Sequence, residues 1–142
     1  MAKQSSDEGR ERLGSLIDGR TDDEIVAGIQ RRGADTVLDQ IFRGMVDVFM
    51  PAKAGDIDVV IGYEIRVAES THRYKIQIAK GKCKMVKGSS EPARTVAVAA
   101  VPDFLRLITG KQNGVTAYMT GKLKLRGDIL FFRTAAGWFR QR

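Results

Sequence analysis

The side chains best suited to moving protons are few in this chain of 142 residues: one histidine, His72, three tyrosines, and the carboxylates Asp58 and Glu64 upstream of that histidine. A histidine beside a carboxylate can exchange a proton near neutral pH, so Asp58, Glu64 and His72 form the strongest acid-base set. Their surroundings separate them. Asp58 and Glu64 fall in the polar phase of an alternating stretch, whereas His72 falls in the apolar phase of its own. The three therefore do not converge, and His72 reads as a structural group. The acidic pairs Asp56/Asp58 and Asp22/Asp23 lack further ligands at metal-site spacing. Cys83 is the single cysteine, which rules out an internal disulfide or a Cys-rich metal centre. No phosphate-binding glycine loop, His-Glu-x-x-His or Gly-x-Ser-x-Gly occurs. We assign no catalytic residue, metal or cofactor.

The basic residues offer a different chemistry. Residues 51–142 carry a net charge of +10, against −3 for residues 21–50 and zero for residues 1–20. Arg66, Arg73, Lys75, Lys82, Lys84, Lys122, Lys124 and Arg126 all fall in the polar phase of expected strands. If those strands share a sheet, they form one broad positive face. Lysines so placed protect against edge-to-edge association or attract an anionic membrane surface, at about 1 kcal/mol per nearby cation. The strand faces lack the interleaved aromatic residues on which bases stack, and no helix has a basic recognition face, which argues against nucleic acid.

The elements that must hold these groups are legible from spacing. Thr21-Asp22-Asp23-Glu24 has the form of a capping box and predicts a helix from Asp22 to Arg32, stopped by Gly33. From Asp35, the positions Val37, Leu38, Ile41, Phe42, Met45, Val46 and Phe49 make the apolar stripe of a helix ending at Pro51. Val59, Ile61, Tyr63, Ile65 and Val67 alternate with other residues as a half-buried strand, and His72, Tyr74, Ile76 and Ile78 do the same, with a hairpin around Ser70-Thr71. Lys82 to Met85 and Thr95 to Ala100 give two more strands. Pro102 and Asp103 suit a helix start. A short helix over Gly114 to Met119, a strand over Lys122 to Arg126 and a last apolar helix opened by Gly127-Asp128 complete the pattern.

This length favours a single domain over residues 21–142, preceded by a flexible arm over residues 1–20, where few large aliphatic residues stand among mixed charges. There is no signal-peptide-type apolar core and no run of about 18 apolar residues. The expectation is a soluble cytoplasmic protein.

Asp103-Phe104-Leu105, Thr109-Gly110-Lys111, Asn113, Ala117-Tyr118, Gly121-Lys122-Leu123-Lys124 and Gly127-Asp128 occur in an order that resembles the closing half of the sterol carrier protein type-2 family. The resemblance covers roughly residues 35 to 136. It implies an α+β fold: a curved, mostly antiparallel five-stranded sheet with helices on one face, enclosing an apolar tunnel. It implies as lining Phe42, Met45, Phe49, Ile61, Tyr63, Phe104, Ile108, Tyr118, Met119, Leu125, Phe131 and Phe132. The implied function is non-catalytic binding and transfer or presentation of a fatty acid, fatty acyl-coenzyme A, phospholipid or sterol. The alternative is an isomerase, dehydratase or cyclase in the same cavity, with Tyr63, His72 or Tyr118 handling protons. The chain ends Phe139-Arg140-Gln141-Arg142 rather than in a Ser-Lys-Leu-type signal, so peroxisomal import does not carry over.

Overall fold

A computed structural model describes residues 13–140. Residues 13–17 are helical (α1). They are followed by α2 (Asp22–Arg32), α3 (Ala34–Asp47), α4 (Pro51–Ala54), β1 (Val59–Val67), β2 (Ser70–Ala79), β3 (Lys82–Lys87), β4 (Thr95–Ala100), α5 (Val101–Ile108), α6 (Gly114–Met119), β5 (Leu123–Gly127) and α7 (Ile129–Ala136). Among the described residues, no helix is long and apolar enough to cross a membrane.

The five strands form one open sheet in the order β3-β2-β1-β4-β5. Its pairings are antiparallel except that β1 runs parallel to β4, with Tyr63 opposite Ala97. Partners across a ladder share a face. Ile61, Tyr63 and Ile65 therefore lie on the same side as Tyr74, Ile76 and Ile78 of β2 and Ala97 and Ala99 of β4, and all of these are buried. On this side α3 buries Val37, Leu38, Ile41 and Phe42. Fully burying a side chain such as Leu38 or Phe42 stabilises the fold by about 1.5–3 kcal/mol.

Local caps set several helix starts. Thr21 Oγ1 accepts from the Glu24 amide and Glu24 Oε1 accepts from the Thr21 amide, completing the box. Asn113 caps α6 through the amides of Val115 and Thr116, and Asp128 caps α7 through that of Phe131.

The other sheet face is also partly covered. An added Cβ at Gly62 would stand 2.0 Å from the Ser90 carbonyl oxygen, because the loop before β4 crosses the sheet there. Val96, opposite Gly62, is buried beneath it. Glu64 accordingly does not face open solvent as its phase suggests; its side chain is 13 % exposed. Asp58 precedes β1.

Other expectations are corrected by tertiary contacts. The α3 helix ends at Asp47 rather than continuing to Pro51, because Phe49 leaves the helical phase to bridge with Phe139. The Met50 amide donates to the Trp138 carbonyl, and the Arg140 amide to that of Val48. Pro51 then opens the short α4. The hairpin turns at Ala68 and Glu69, before Ser70, and Ala68 has a φ of 54°. Residues 1–12 of the expected arm lie outside the described residues. The remainder of that arm is packed: Leu16 and Ile17 are buried in the core, and Asp18 pairs with Lys111.

Candidate ligand-binding interior

Five elements bring rings together on the inner face of the sheet. Phe42 of α3 stacks on Tyr74 with centroids 4.2 Å apart and meets Tyr63 edge-on at 5.2 Å. Phe104 of α5 lies 5.5 Å from Phe42 and 6.3 Å from Tyr63. Phe132 of α7 reaches Tyr63 at 6.5 Å, the widest of these separations. Such offset and edge contacts add about 0.5–1.5 kcal/mol per pair beyond burial.

The two inward tyrosines differ at their polar ends, although they are partners across β1 and β2. Tyr74 donates to Asp39 Oδ1 at 2.7 Å. Burial first, then that carboxylate, pushes its phenol well above the usual range. Tyr63 is 6 % exposed, and its hydroxyl has no hydrogen-bond partner among the described residues. Burial pushes its ionisation up strongly, with a smaller contribution from Cys83. An unpaired buried hydroxyl costs about 1–3 kcal/mol. The Cys83 thiol itself is pushed up to about 11 by burial, so it remains protonated at neutral pH.

The residues expected to line the interior divide into groups. Phe42, Ile61, Tyr63 and Phe104 are buried within the core, and Met45, Phe49, Ile108, Leu125 and Phe132 are partly buried against it. Phe131 is buried but turns to Trp138, at 5.5 Å, beneath the Arg94 guanidinium at 3.9 Å. Tyr118 and Met119 stand outside the set, 42 % and 79 % exposed. The six-residue α6 buries only Ala117, which leaves its last two side chains at the surface.

A polar cluster missed in the sequence borders this interior. His72 Nδ1 lies 3.1 Å from Asp35 Oδ1, and Lys87 Nζ lies 3.2 Å from Asp39 Oδ2. Partial burial pushes Asp39 up, but hydrogen bonds from Tyr74 and Lys87 outweigh it and hold the carboxyl below its usual range. The available signal was the spacing of Asp35 and Asp39, four residues apart beside the apolar stripe. Asp35, Thr71, His72, Arg73, Tyr74, Lys87 and Gly88 line a pocket of about 190 Å³. That is below the roughly 300 Å³ at which ligand pockets begin. Tyr63, His72 and Tyr118, the candidate proton carriers, share no hydrogen bond or ring contact with one another among the described residues.

On the outer face the cations separate into paired and unpaired groups. Arg126 grips Glu64 through two nitrogens and also reaches Glu91, while Arg73 lies 3.8 Å from Glu64. Arg126, with Ser90 behind it, lowers the Glu64 carboxyl to about 2. Arg66, Lys75, Lys82, Lys84, Lys122 and Lys124 have no acidic partner among the described residues.

Fold and interior together define an α+β protein with a one-sided helical cover over an aromatic-lined sheet. Residues 43–140 match the SCP-2 sterol transfer family, and the chain belongs to that family. The fold is similar to that of the stereoselective inverting sec-alkylsulfatase Pisa1 from Pseudomonas sp., with a TM-score of 0.63 and 19 % identity over 73 % of this chain. The match spans only 16 % of that enzyme. It is also similar to Sterol Carrier Protein 2 Like 2 from Aedes aegypti, with a TM-score of 0.56 and 18 % identity, covering 75 % of this chain and 93 % of that one.

Proposed function

We propose that this protein binds one hydrophobic ligand between its sheet and helices and transfers or presents it without chemical turnover. The observation that carries the reading is the convergence of Phe42, Tyr63, Phe104 and Phe132 from four separate elements on one apolar surface. Met45, Phe49, Ile61, Ile108 and Leu125 extend that surface, and Phe131 holds α7 against the body. The rings touch one another, so an incoming chain must part them; the wide Tyr63–Phe132 contact is the natural place. A fatty acid, acyl-coenzyme A, phospholipid or sterol fits this chemistry. Burying about 14 methylenes at roughly 0.8 kcal/mol each offers about 11 kcal/mol. After association costs of several kcal/mol, micromolar or tighter binding follows.

Ligand exchange is proposed to occur at an anionic membrane surface. The Lys122 amide donates to the Ala117 carbonyl of α6, and Lys124 lies on β5, against which α6 packs; with the exposed Val115, Tyr118 and Met119 of α6 they combine charge attraction with apolar side chains able to enter the headgroup layer. Arg66, Lys75, Lys82 and Lys84 add unpaired positive charge from the other strands. Nucleic acid is not proposed as a partner. The free thiol of Cys83 suits a reducing cytoplasm, the location proposed here.

Displacement of a fluorescent fatty-acyl probe from delipidated protein tests the reading, with fatty acids, acyl-coenzyme A and sterols as competitors. Saturable one-to-one binding with unaltered ligand recovered afterwards is the expected result. Binding by none of them overturns it.

A further inference from the structure

We infer that the Tyr63 hydroxyl is the buried hydrogen-bonding contact for a neutral oxygen function of the ligand, a hydroxyl or a carbonyl. The inference rests on the carrier reading above and names the headgroup that the interior selects.

Tyr63 and Tyr74 occupy partner positions on β1 and β2 and face the same interior. Tyr74 has its partner in Asp39 at 2.7 Å. Tyr63, more than nine-tenths buried, has none among the described residues. Its ring is held by Phe42 and Phe104, so the hydroxyl occupies a defined place. On folding it loses its bonds to water, and a ligand oxygen arriving at that place restores one.

The surroundings decide the charge of that oxygen. Tyr63 meets the rings of Phe42, Phe104 and Phe132, and among the described residues it makes no hydrogen bond, ion pair or ring contact with a basic side chain. Besides burial, the group that acts on its ionisation is Cys83, itself a neutral thiol at physiological pH. A carboxylate or phosphate buried here would lose its hydration with no counter-charge to replace it. A ligand hydroxyl or carbonyl loses far less. Burial also keeps the Tyr63 phenol protonated, so it can donate to a carbonyl, or donate to and accept from a hydroxyl. Ligands with anionic headgroups must keep those groups in water and leave the Tyr63 hydroxyl unused.

The test compares hexadecanol with hexadecanoate, which share a chain length and differ at the head, on the wild type and on Tyr63→Phe. The variant should bind hexadecanol about five- to tenfold more weakly, the effect of one neutral hydrogen bond, and hexadecanoate within about twofold of the wild type. Equal loss for both ligands, or no loss for hexadecanol, overturns the inference while leaving the carrier reading intact. Failure of the wild type to bind either overturns the carrier reading and this inference with it. A second readout is the thermal midpoint of the ligand-free protein. Removing an unpartnered hydroxyl should leave Tyr63→Phe at least as stable as the wild type. A lower midpoint would show that the hydroxyl is already paired and overturns the inference.

Discussion

Glu64 on β1 and Arg126 on β5 are joined across the intervening β4, with Arg126 Nη2 2.8 Å from Glu64 Oε2 and Nη1 3.3 Å from Oε1. Ser90 donates to the same carboxylate at 2.6 Å, so one side chain ties the far strand and the covering loop to the sheet centre. The Glu64 carboxyl is lowered from 4.5 to about 2, chiefly by Arg126 and then by Ser90. A depressed folded-state value means that its contribution is complete above about 4.5 and is lost as pH falls through about 2. Glu64→Gln should lose about 2 kcal/mol at neutral pH and flatten the acid limb of the stability profile. Urea midpoints measured as a function of pH will show this.

Gly62 lies beneath the same loop. A methyl group there would meet the Ser90 carbonyl oxygen at 2.0 Å, a backbone atom that cannot rotate aside. Gly62→Ala should therefore cost at least about 2 kcal/mol, read as a lowered urea midpoint. A variant of wild-type stability would show that the loop does not press on the strand.

Phe132 is partly buried and makes the widest ring contact with Tyr63, 6.5 Å between centroids. Enlarging it should occupy the space a ligand enters. Phe132→Trp is expected to weaken fatty-acyl probe binding by about tenfold or more, the equivalent of about 1.4 kcal/mol. Its thermal midpoint should stay near that of the wild type, since the added ring atoms extend from a side chain that is not fully enclosed. Undiminished probe binding would exclude this route.

Met119 and Lys124 lie on α6 and β5, which pack against each other. Replacing the 79 % exposed Met119 with Asp should leave the fold intact and reduce ligand transfer from vesicles containing phosphatidylserine. Lys122→Gln with Lys124→Gln should weaken sedimentation with those vesicles roughly 30-fold at low salt, at about 1 kcal/mol per cation. Neutral phosphatidylcholine vesicles should show little difference. Equal binding of all variants to anionic vesicles would place the contact elsewhere.

The elements whose cause is local were legible. Thr21 and Glu24 make their capping box within four residues, and the span Asp22–Arg32 follows from it. Asn113 and Asp128 cap helices that begin immediately after them. The alternation of Ile61, Tyr63 and Ile65 gave their common face, because a strand's period of two is a property of the backbone. Phe49 was read into the stripe of α3 because it continues the helical spacing; its bridge to Phe139, ninety residues away, could not be read from that spacing. The covering of Glu64 by Ser90 was hidden for the same reason, since alternation assigns a phase but not the loop that later folds across it. In the interior, Phe42, Tyr63 and Phe104 were recognisable as apolar candidates. Their mutual contacts, the exposure of Tyr118 and Met119, and the turn of Phe131 toward Trp138 were not.

The sequence by itself determined most of the element types, the inward sets of β1 and β2, the basic excess of residues 51–142 and the family resemblance carried by Asp103 to Asp128. These follow from interactions among near neighbours and from composition. The tertiary structure decided that β4 lies parallel beside β1, that α7 brings Phe132 to Tyr63, and that, among the described residues, Tyr74 meets a carboxylate and Tyr63 does not. Those outcomes depend on which distant surfaces meet, because a side chain's partner is set by the packing of whole elements.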